Sequence, residues 1–209
     1  MRIFIYILRF FPPEIAHTLA LKSLSILYSL KLSNIFFRKP KSNSEEINFC
    51  GLKFKNRLGI AAGLDKNGDY IDALGSLGIG FIEVGTVTPK PQPGNLKPRI
   101  FRLFKYNAII NRLGFNNKGI DYLKKNLQKR KYDGIVGVNI GVNKDSSGQE
   151  RIKDYLHCIK EVYKYADYIT VNISSPNTPN LRDLQSIENI TELIVEIEKV
   201  VKNLSIKIP

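Results

Sequence analysis

After residue 46 the chain alternates short β-branched runs with stretches of helical period, and few folds satisfy that grammar. Residues 57–62, 81–87, 134–140 and 168–173 read as strands, with another β-like run at 47–54. Helical spacing predicts helices over 69–77, 120–130, 152–166 and 187–203; in the last, Ile190, Ile194, Ile197 and Val201 fall on one side. Apolar strands separated by helices of this length form βαβ units on a parallel sheet buried on both faces. Residues 88–117 are rich in Pro and Gly and read as a long irregular connection.

A doubly wound dinucleotide-binding sheet would need G-x-G-x-x-G between a strand and its helix. Gly78-Ile-Gly80-Phe-Ile-Glu83 lacks the third glycine and precedes a strand, so it reads as the end of a helix. The unit spacing instead fits a (β/α)8 TIM barrel. A complete barrel takes about 250 residues, whereas this chain has 209. The expectation is an α/β fold holding about the first four β/α units of such a barrel. Ser205-Ile-Lys-Ile-Pro209 reads as the start of another strand, and four parallel strands would leave two bare edges. The chain is therefore expected to be a fragment or a truncated gene product.

Residues 1–44 form a separate segment. The apolar run up to Phe11 is broken by Arg9 and stopped by Pro12-Pro13, after which a second helix opens with proline and an acid in its first turn. Its polar positions, Glu14, Thr18, Lys22, Ser25 and Ser29, make one narrow stripe, leaving an apolar arc wider than one packed face needs. A secretory signal fits poorly, because Arg9 and the prolines interrupt the apolar run. Composition alone leaves two readings open: a buried helical hairpin, or an in-plane membrane helix with Arg2, Arg9, Lys22, Lys31, Arg38 and Lys39 available to anionic headgroups. Residues 39–44 read as the linker.

The formal net charge is +13, of which residues 1–44 carry +6. The remainder is spread thinly, and the run around Lys124, Lys125, Lys129, Arg130 and Lys131 reads as a solvated helix face, so no nucleic-acid partner is expected. Two cysteines, Cys50 and Cys158, and two histidines, His17 and His157, are too few for a disulfide framework or a His-rich metal site.

In α/β folds the site lies at the carboxyl ends of the strands. Here those ends read Ala62-Gly63-Leu64-Asp65-Lys66, Gly85-Thr86-Val87-Thr88, Asn139-Ile140-Gly141 and Asn172-Ile173-Ser174-Ser175. On residue type alone, Asn172 and Asn177 read as turn caps beside Pro176 and Pro179. Lys66 stands evenly between a solvated lysine and a site residue, while Asn139, at a buried strand end, needs partners.

Six motifs in order carry a resemblance: Leu58-Gly-Ile-Ala-Ala-Gly-Leu-Asp-Lys66, Glu83-Val-Gly-Thr-Val-Thr-Pro-Lys-Pro-Gln-Pro-Gly94, Lys97-Pro-Arg-Ile-Phe-Arg102, Asn111-Arg-Leu-Gly-Phe-Asn-Asn117, Asn139-Ile-Gly141 and Asn172-Ile-Ser-Ser-Pro-Asn-Thr-Pro179. From Pro13 to about Arg182 the chain resembles the quinone-dependent, membrane-associated (class 2) dihydroorotate dehydrogenases. The resemblance implies a flavin-dependent barrel that oxidises dihydroorotate to orotate in pyrimidine synthesis and passes electrons to a membrane quinone. It implies FMN contacts from Ala62, Gly63, Leu64, Asp65, Lys66, Thr86, Asn139 and Asn172. Substrate contacts would come from Lys66, Asn111, Arg112, Leu113, Gly114, Phe115, Asn172 and Asn177, with Ser175 as catalytic base where the soluble class 1 relatives use cysteine. It further implies a peripheral protein on the cytoplasmic face of the cell membrane. Residues 1–44 would contact lipid and shield the quinone tunnel, and residues 45–209 would form the partial FMN-binding barrel.

This chemistry suits the residue types. Orotate is a planar anion with amide edges; a lysine matches its carboxylate, and Asn side chains supply donor and acceptor together. Serine is a poor base and needs preorganised hydrogen bonds and a proton exit, here through Thr178 or a water.

Asn180 stands where the family commonly has glycine, and Asn tolerates the left-handed conformation. The loops after the seventh and eighth strands, which build phosphate sites in such barrels, have no counterpart here. The chain alone is thus expected to bind FMN poorly. An inactive or split gene product needing its missing carboxyl-terminal half is the first alternative; another phosphate-binding barrel enzyme is the second.

Overall fold

The structure, a computed structural model, describes residues 2–32 and 46–209, with side chains described from Tyr6 onward. The linker expected at 39–44 lies outside the described residues. Helices α1 (Arg2–Arg9) and α2 (Pro13–Ser29) form a hairpin broken at the proline pair. Pro13 sits in the first turn, where its missing N–H is no loss, and Glu14 meets the positive end of the helix dipole. The body covers only part of the apolar arc of α2: Ala16 and Leu21 are buried, while Ile15, Leu19, Ile26 and Leu30 stay exposed.

Strands β1 (Ile47–Phe49) and β2 (Leu52–Phe54) make an antiparallel hairpin. Its two-residue turn, Cys50-Gly51, has φ of 50° and 78°, the pair of positive values that tight hairpins with matching twist require. Strand β3 (Gly59–Ile60) leads through a loop to α3 (Ile71–Gly75), and β4 (Phe81–Val87) follows. A second antiparallel hairpin, β5 (Ile100–Leu103) and β6 (Ala108–Asn111), precedes α4 (Ile120–Lys129). Then come β7 (Ile135–Ile140), α5 (Gln149–Val162), β8 (Tyr168–Val171) and α6 (Ile187–Lys202). The Ser186 hydroxyl caps α6 by accepting from the Asn189 N–H.

Four strands pair in parallel in the order β3-β4-β7-β8, so sheet order follows chain order. Alternation sends Ile82, Val84, Val136, Val138 and Ile140 to one face, where they share a buried cluster with Ile120, Leu123 and Leu127 of α4 and Tyr155, Cys158 and Ile159 of α5. Each fully buried Val or Ile there contributes roughly 1.5–3 kcal/mol. The other face carries Glu83, Gly137 and Tyr168 in one row and Gly85, Asn139 and Thr170 in the next. Beyond β8, the Ile169 N–H donates to the Pro209 carbonyl at 2.9 Å, so the final residue lies along that edge.

Several boundaries differ from the sequence reading. Residues 88–117 contain the β5–β6 hairpin, whose turn is a 3-10 helix, Phe104–Tyr106, with two aromatics around Lys105, closed by Asn107 in the left-handed region; it carries no Gly-Pro signal. Helix α3 starts at 71 rather than 69 because the Asp65 carboxylate takes the N–H groups of Asp69 and Tyr70. Helix α5 starts at 149 rather than 152, directly after Gly148 (φ 48°), and ends at 162 rather than 166.

Candidate active site

Parallel pairing brings the loops after β3, β4, β7 and β8 to one end of the sheet. At the tips of three neighbouring strands Thr86, Asn139 and Asn172 are hydrogen-bonded to one another. The Thr86 hydroxyl donates to Asn139 Oδ1 at 2.6 Å. Asn172 Nδ2 donates to Thr86 Oγ1 at 3.1 Å and to Asn139 Oδ1 at 3.2 Å. One row below, Glu83 accepts from Asn139 Nδ2 at 2.8 Å and from the Tyr168 hydroxyl at 3.0 Å. The amide of Asn139 is thereby oriented, its nitrogen toward the carboxylate and its oxygen toward the strand tips. Burial, then the Glu83 charge, pushes the Tyr168 phenol up and keeps it protonated as a donor.

The loop after β3 is sewn to the same end. The Gly63 N–H donates to the Gly85 carbonyl at 2.8 Å, and the Gly85 N–H donates to the Asp65 carbonyl at 3.1 Å. Burial raises the pKa of Asp65, opposed by the N–H bonds from Tyr70 and Asp69. This carboxylate shapes the loop and has its oxygens turned to the backbone. Ala62 is half-buried and Leu64 exposed. The Leu64 carbonyl accepts from His17 Nε2 at 2.6 Å, one tie between α2 and the sheet.

A cavity of about 1010 Å³ opens between the helical hairpin, the β3 loop and the β5–β6 hairpin, and Gly63, Leu64, Asp65, Lys66, Asn111 and Leu113 all line it. Lys66 is half-buried and makes no hydrogen bond or ion pair among the described residues. Burial, then the positive charge of Arg99, pushes its pKa below the ordinary lysine value, with Glu14 pulling the other way. The same cavity is lined by Asn116, whose buried Oδ1 has no partner among the described residues. An ammonium and an amide oxygen without partners form a demand for a polar ligand.

Asn111 closes β6 opposite Ile100. Arg112 turns away from the strand tips: its guanidinium donates to the Pro98 carbonyl and lies 5.8 Å from the Phe101 ring. The Gly114 carbonyl accepts from Gln92 Nε2, and Phe115 is buried with Thr86 on either side of Gly141, where an added Cβ would stand 2.8 Å from Thr86 and 2.9 Å from Phe115.

In the loop after β8, Ser175 Oγ accepts from the Asn177 N–H at 3.3 Å. Ser174 leans on Asn172 Oδ1, and Thr178 is buried. Asn180 has φ 54°, the left-handed conformation expected of a residue replacing glycine. Arg151 fastens the loop, donating to the carbonyls of Asn180 at 2.6 Å and Pro179 at 2.8 Å, and Arg182 donates to the Ser174 carbonyl. Ser175 and Asn177 lie on this loop and do not line the Lys66 cavity.

The structure thus places the expected residues in three groups, the Thr86–Asn139–Asn172 cluster, the Lys66–Asn111–Leu113 cavity wall and the Ser175–Asn177 loop, and does not bring Ser175 or Asn177 into the Lys66 cavity. Sequence reasoning missed Glu83, Tyr168 and Asn116. A carboxylate inside an otherwise apolar strand was the available signal for Glu83, and Asn116 lay within the Asn111–Asn117 motif without a role of its own; Tyr168 carried no signal. Among the described residues no three metal-ligating side chains gather, and no helix is long and apolar enough to cross a membrane.

Parallel β/α order with polar strand tips defines an α/β enzyme-like scaffold. The family model described as dihydroorotate dehydrogenase matches residues 44–209, and the chain belongs to that family. It is 54% identical over 188 residues to a dihydroorotate dehydrogenase (quinone) of Marinobacter nauticus, covering 90% of this chain and 55% of that protein. It is 51% identical over 194 residues to one of Aliivibrio fischeri, covering 93% and 57%. The crystal structure of DHODH from Eimeria tenella in complex with ferulenol superposes with a TM-score of 0.77 at 37% identity, covering 91% of this chain and 51% of that one. The chain spans about half the length of the curated relatives it matches. These neighbours and the parallel sheet make the fold TIM-barrel-type α/β.

Proposed function

We propose that this chain carries the flavin- and substrate-contacting half of a quinone-dependent dihydroorotate dehydrogenase, which oxidises dihydroorotate to orotate in pyrimidine synthesis. The observation that carries the reading is Lys66, half-buried and without a partner among the described residues, lining one cavity with the unsatisfied amide oxygen of Asn116. Residues 45–209 would form the first four units of the barrel, and residues 1–44 the lipid-contacting segment at the cytoplasmic membrane face.

The residues present fit a flat flavin. Gly63 has φ 109° and open space within 4 Å of where a Cβ would stand, so a ring can lie against its backbone. Ala62, Leu64, Asp65, Thr86, Asn139 and Asn172 would complete the cradle. Bound there, FMN would supply the two-electron oxidant. Lys66 pairs with the substrate carboxylate, and the Asn111, Asn172 and Asn177 amides match the edges of the pyrimidine ring. Ser175 Oγ takes the proton from the substrate carbon. The Asn177 N–H aimed at that oxygen favours negative charge on it. Buried Thr178 offers the next hydroxyl toward solvent.

A second reading is that this chain acts only with a complementing polypeptide, favoured by the outer β8 edge, where among the described residues the Ile169 N–H meets the Pro209 carbonyl. Co-expression with a polypeptide supplying the remaining strands distinguishes the two readings, with flavin absorbance and dihydroorotate-dependent quinone reduction as readouts. Ser175→Ala should lower turnover by at least about a hundredfold while flavin stays bound. Full turnover in that variant would remove Ser175 from the mechanism, and absence of flavin from both preparations would remove the whole assignment.

A further inference from the structure

The β5–β6 hairpin presents apolar side chains that nothing in the described protein covers. Phe104 is 60% exposed, Tyr106 69%, Ile109 66% and Ile110 55%. Consecutive strand residues point to opposite faces, so Ile109 and Ile110 expose both sides of β6. A rigid partner packing on one face would leave the other bare, whereas a fluid medium covers both.

Cations outnumber acids around the hairpin, although Glu14 pairs with Lys97 and Arg99, and Asp69 with Lys118. No Asp or Glu occurs between Glu83 and Asp121, while Lys90, Lys97, Lys105, Arg112 and Lys118 fall in that interval. Lys90, Lys105 and Arg112 make no ion pair among the described residues. The hairpin is also continuous with the helical segment: Arg102 of β5 donates to the carbonyls of Arg9 at 3.1 Å and Phe11 at 2.8 Å, and the neighbouring Phe10 is 89% exposed. Aromatic and aliphatic tips flanked by Lys105 and Arg112, neither in an ion pair among the described residues, are the composition of a surface that enters an anionic lipid interface.

We infer that the β5–β6 hairpin is a second lipid-binding element, placing Phe104, Tyr106, Ile109 and Ile110 in the headgroup boundary of an anionic bilayer beside the end of α1. The inference deepens the reading of residues 1–44 as lipid-contacting and rests on it. The mouth of the Lys66 cavity, lined by Phe104, Ala108 and Ile109 on one side and Leu8 and Arg9 on the other, then opens at the lipid surface.

The chain contains no tryptophan, so a single one reports its own surroundings. Tyr106→Trp and Phe10→Trp variants of the 209-residue chain are titrated with vesicles of phosphatidylglycerol and phosphatidylcholine, and with phosphatidylcholine alone. Both variants should shift their emission to the blue and be quenched by brominated acyl chains on the anionic vesicles. Phe104→Ser/Tyr106→Ser should weaken vesicle binding at least tenfold with an unchanged circular dichroism spectrum. A blue shift in Phe10→Trp with none in Tyr106→Trp overturns the hairpin's role and leaves the helical reading standing. No shift in either variant overturns both. A concentration-dependent dimer that shifts the Tyr106→Trp emission without vesicles assigns the surface to a second copy and also overturns the inference.

Discussion

Tyr168 reaches across Gly137 to donate its hydroxyl to Glu83, and the three residues stand in register on neighbouring strands. A Cβ at Gly137 would come within 2.0 Å of the Tyr168 ring. The glycine is what lets the phenol span a strand, and the carboxylate it meets orients Asn139.

Gly137→Ala should therefore act at a distance. The ring must move, the Glu83 bond is lost, and overpacking costs about 1–3 kcal/mol. Thermal unfolding should show the loss. Tyr168→Phe, which keeps the ring, should cost about 1 kcal/mol, and a Gly137→Ala protein as stable as the parent would dismiss this account.

Thr86→Val keeps the shape of the side chain but removes the hydroxyl that both donates to Asn139 and accepts from Asn172. Leaving buried partners unsatisfied costs roughly 1–3 kcal/mol. Denaturant unfolding should show a lower midpoint with an unchanged slope.

Glu14 couples α2 to the body through Arg99, Nε to Oε1 at 2.6 Å and Nη2 to Oε2 at 3.1 Å, with Lys97 at 3.1 Å. Arg99 is buried, so Glu14→Ala strands a charge and should cost about 3 kcal/mol. Hydrogen bonding from Arg99, then from Lys97, holds the Glu14 pKa below its ordinary 4.5 against the opposing effect of burial. The stabilisation is complete above the unfolded-state value and is lost as pH falls through the lower folded one. Protection factors for amide exchange in α2, corrected for the intrinsic pH dependence, should fall below about pH 4.5, and Glu14→Ala should remove that fall.

Lys66→Met should raise stability while destroying the site. Burial lowers the folded-state pKa, so the native protein binds fewer protons than the unfolded chain, and stability climbs as pH rises toward 10.5. Removing the charge should raise the melting temperature, and more so at neutral pH than near pH 10.5. Calorimetry would read the gain, and orotate titration of flavin-loaded protein the loss.

Much of this was legible beforehand because two periodicities carry it. Strand β4 and helix α4 fall where alternation and helical spacing put them, and the polar tips of β3, β4, β7 and β8 gather at one end of the sheet. The β5–β6 hairpin was hidden because its turn is built from Phe104, Lys105 and Tyr106, with no glycine or proline to mark it. Glu83 and Tyr168 were hidden because their contact depends on register across three strands, which no local pattern encodes. Arg112 fell within the expected substrate motif, yet its guanidinium is held by Pro98 and Phe101, a tertiary preference invisible in one dimension.

Sheet order that follows chain order has a consequence for biosynthesis. Each parallel strand finds its neighbour among residues already made, so the sheet can grow by accretion as the polypeptide leaves the ribosome. Helix α2 is the exception, since its anchor Arg99 lies 85 positions downstream of Glu14. Until that residue emerges, the helix is held without its buried ion pair, and its greasy side is open to whatever chaperone or membrane stands nearest the exit.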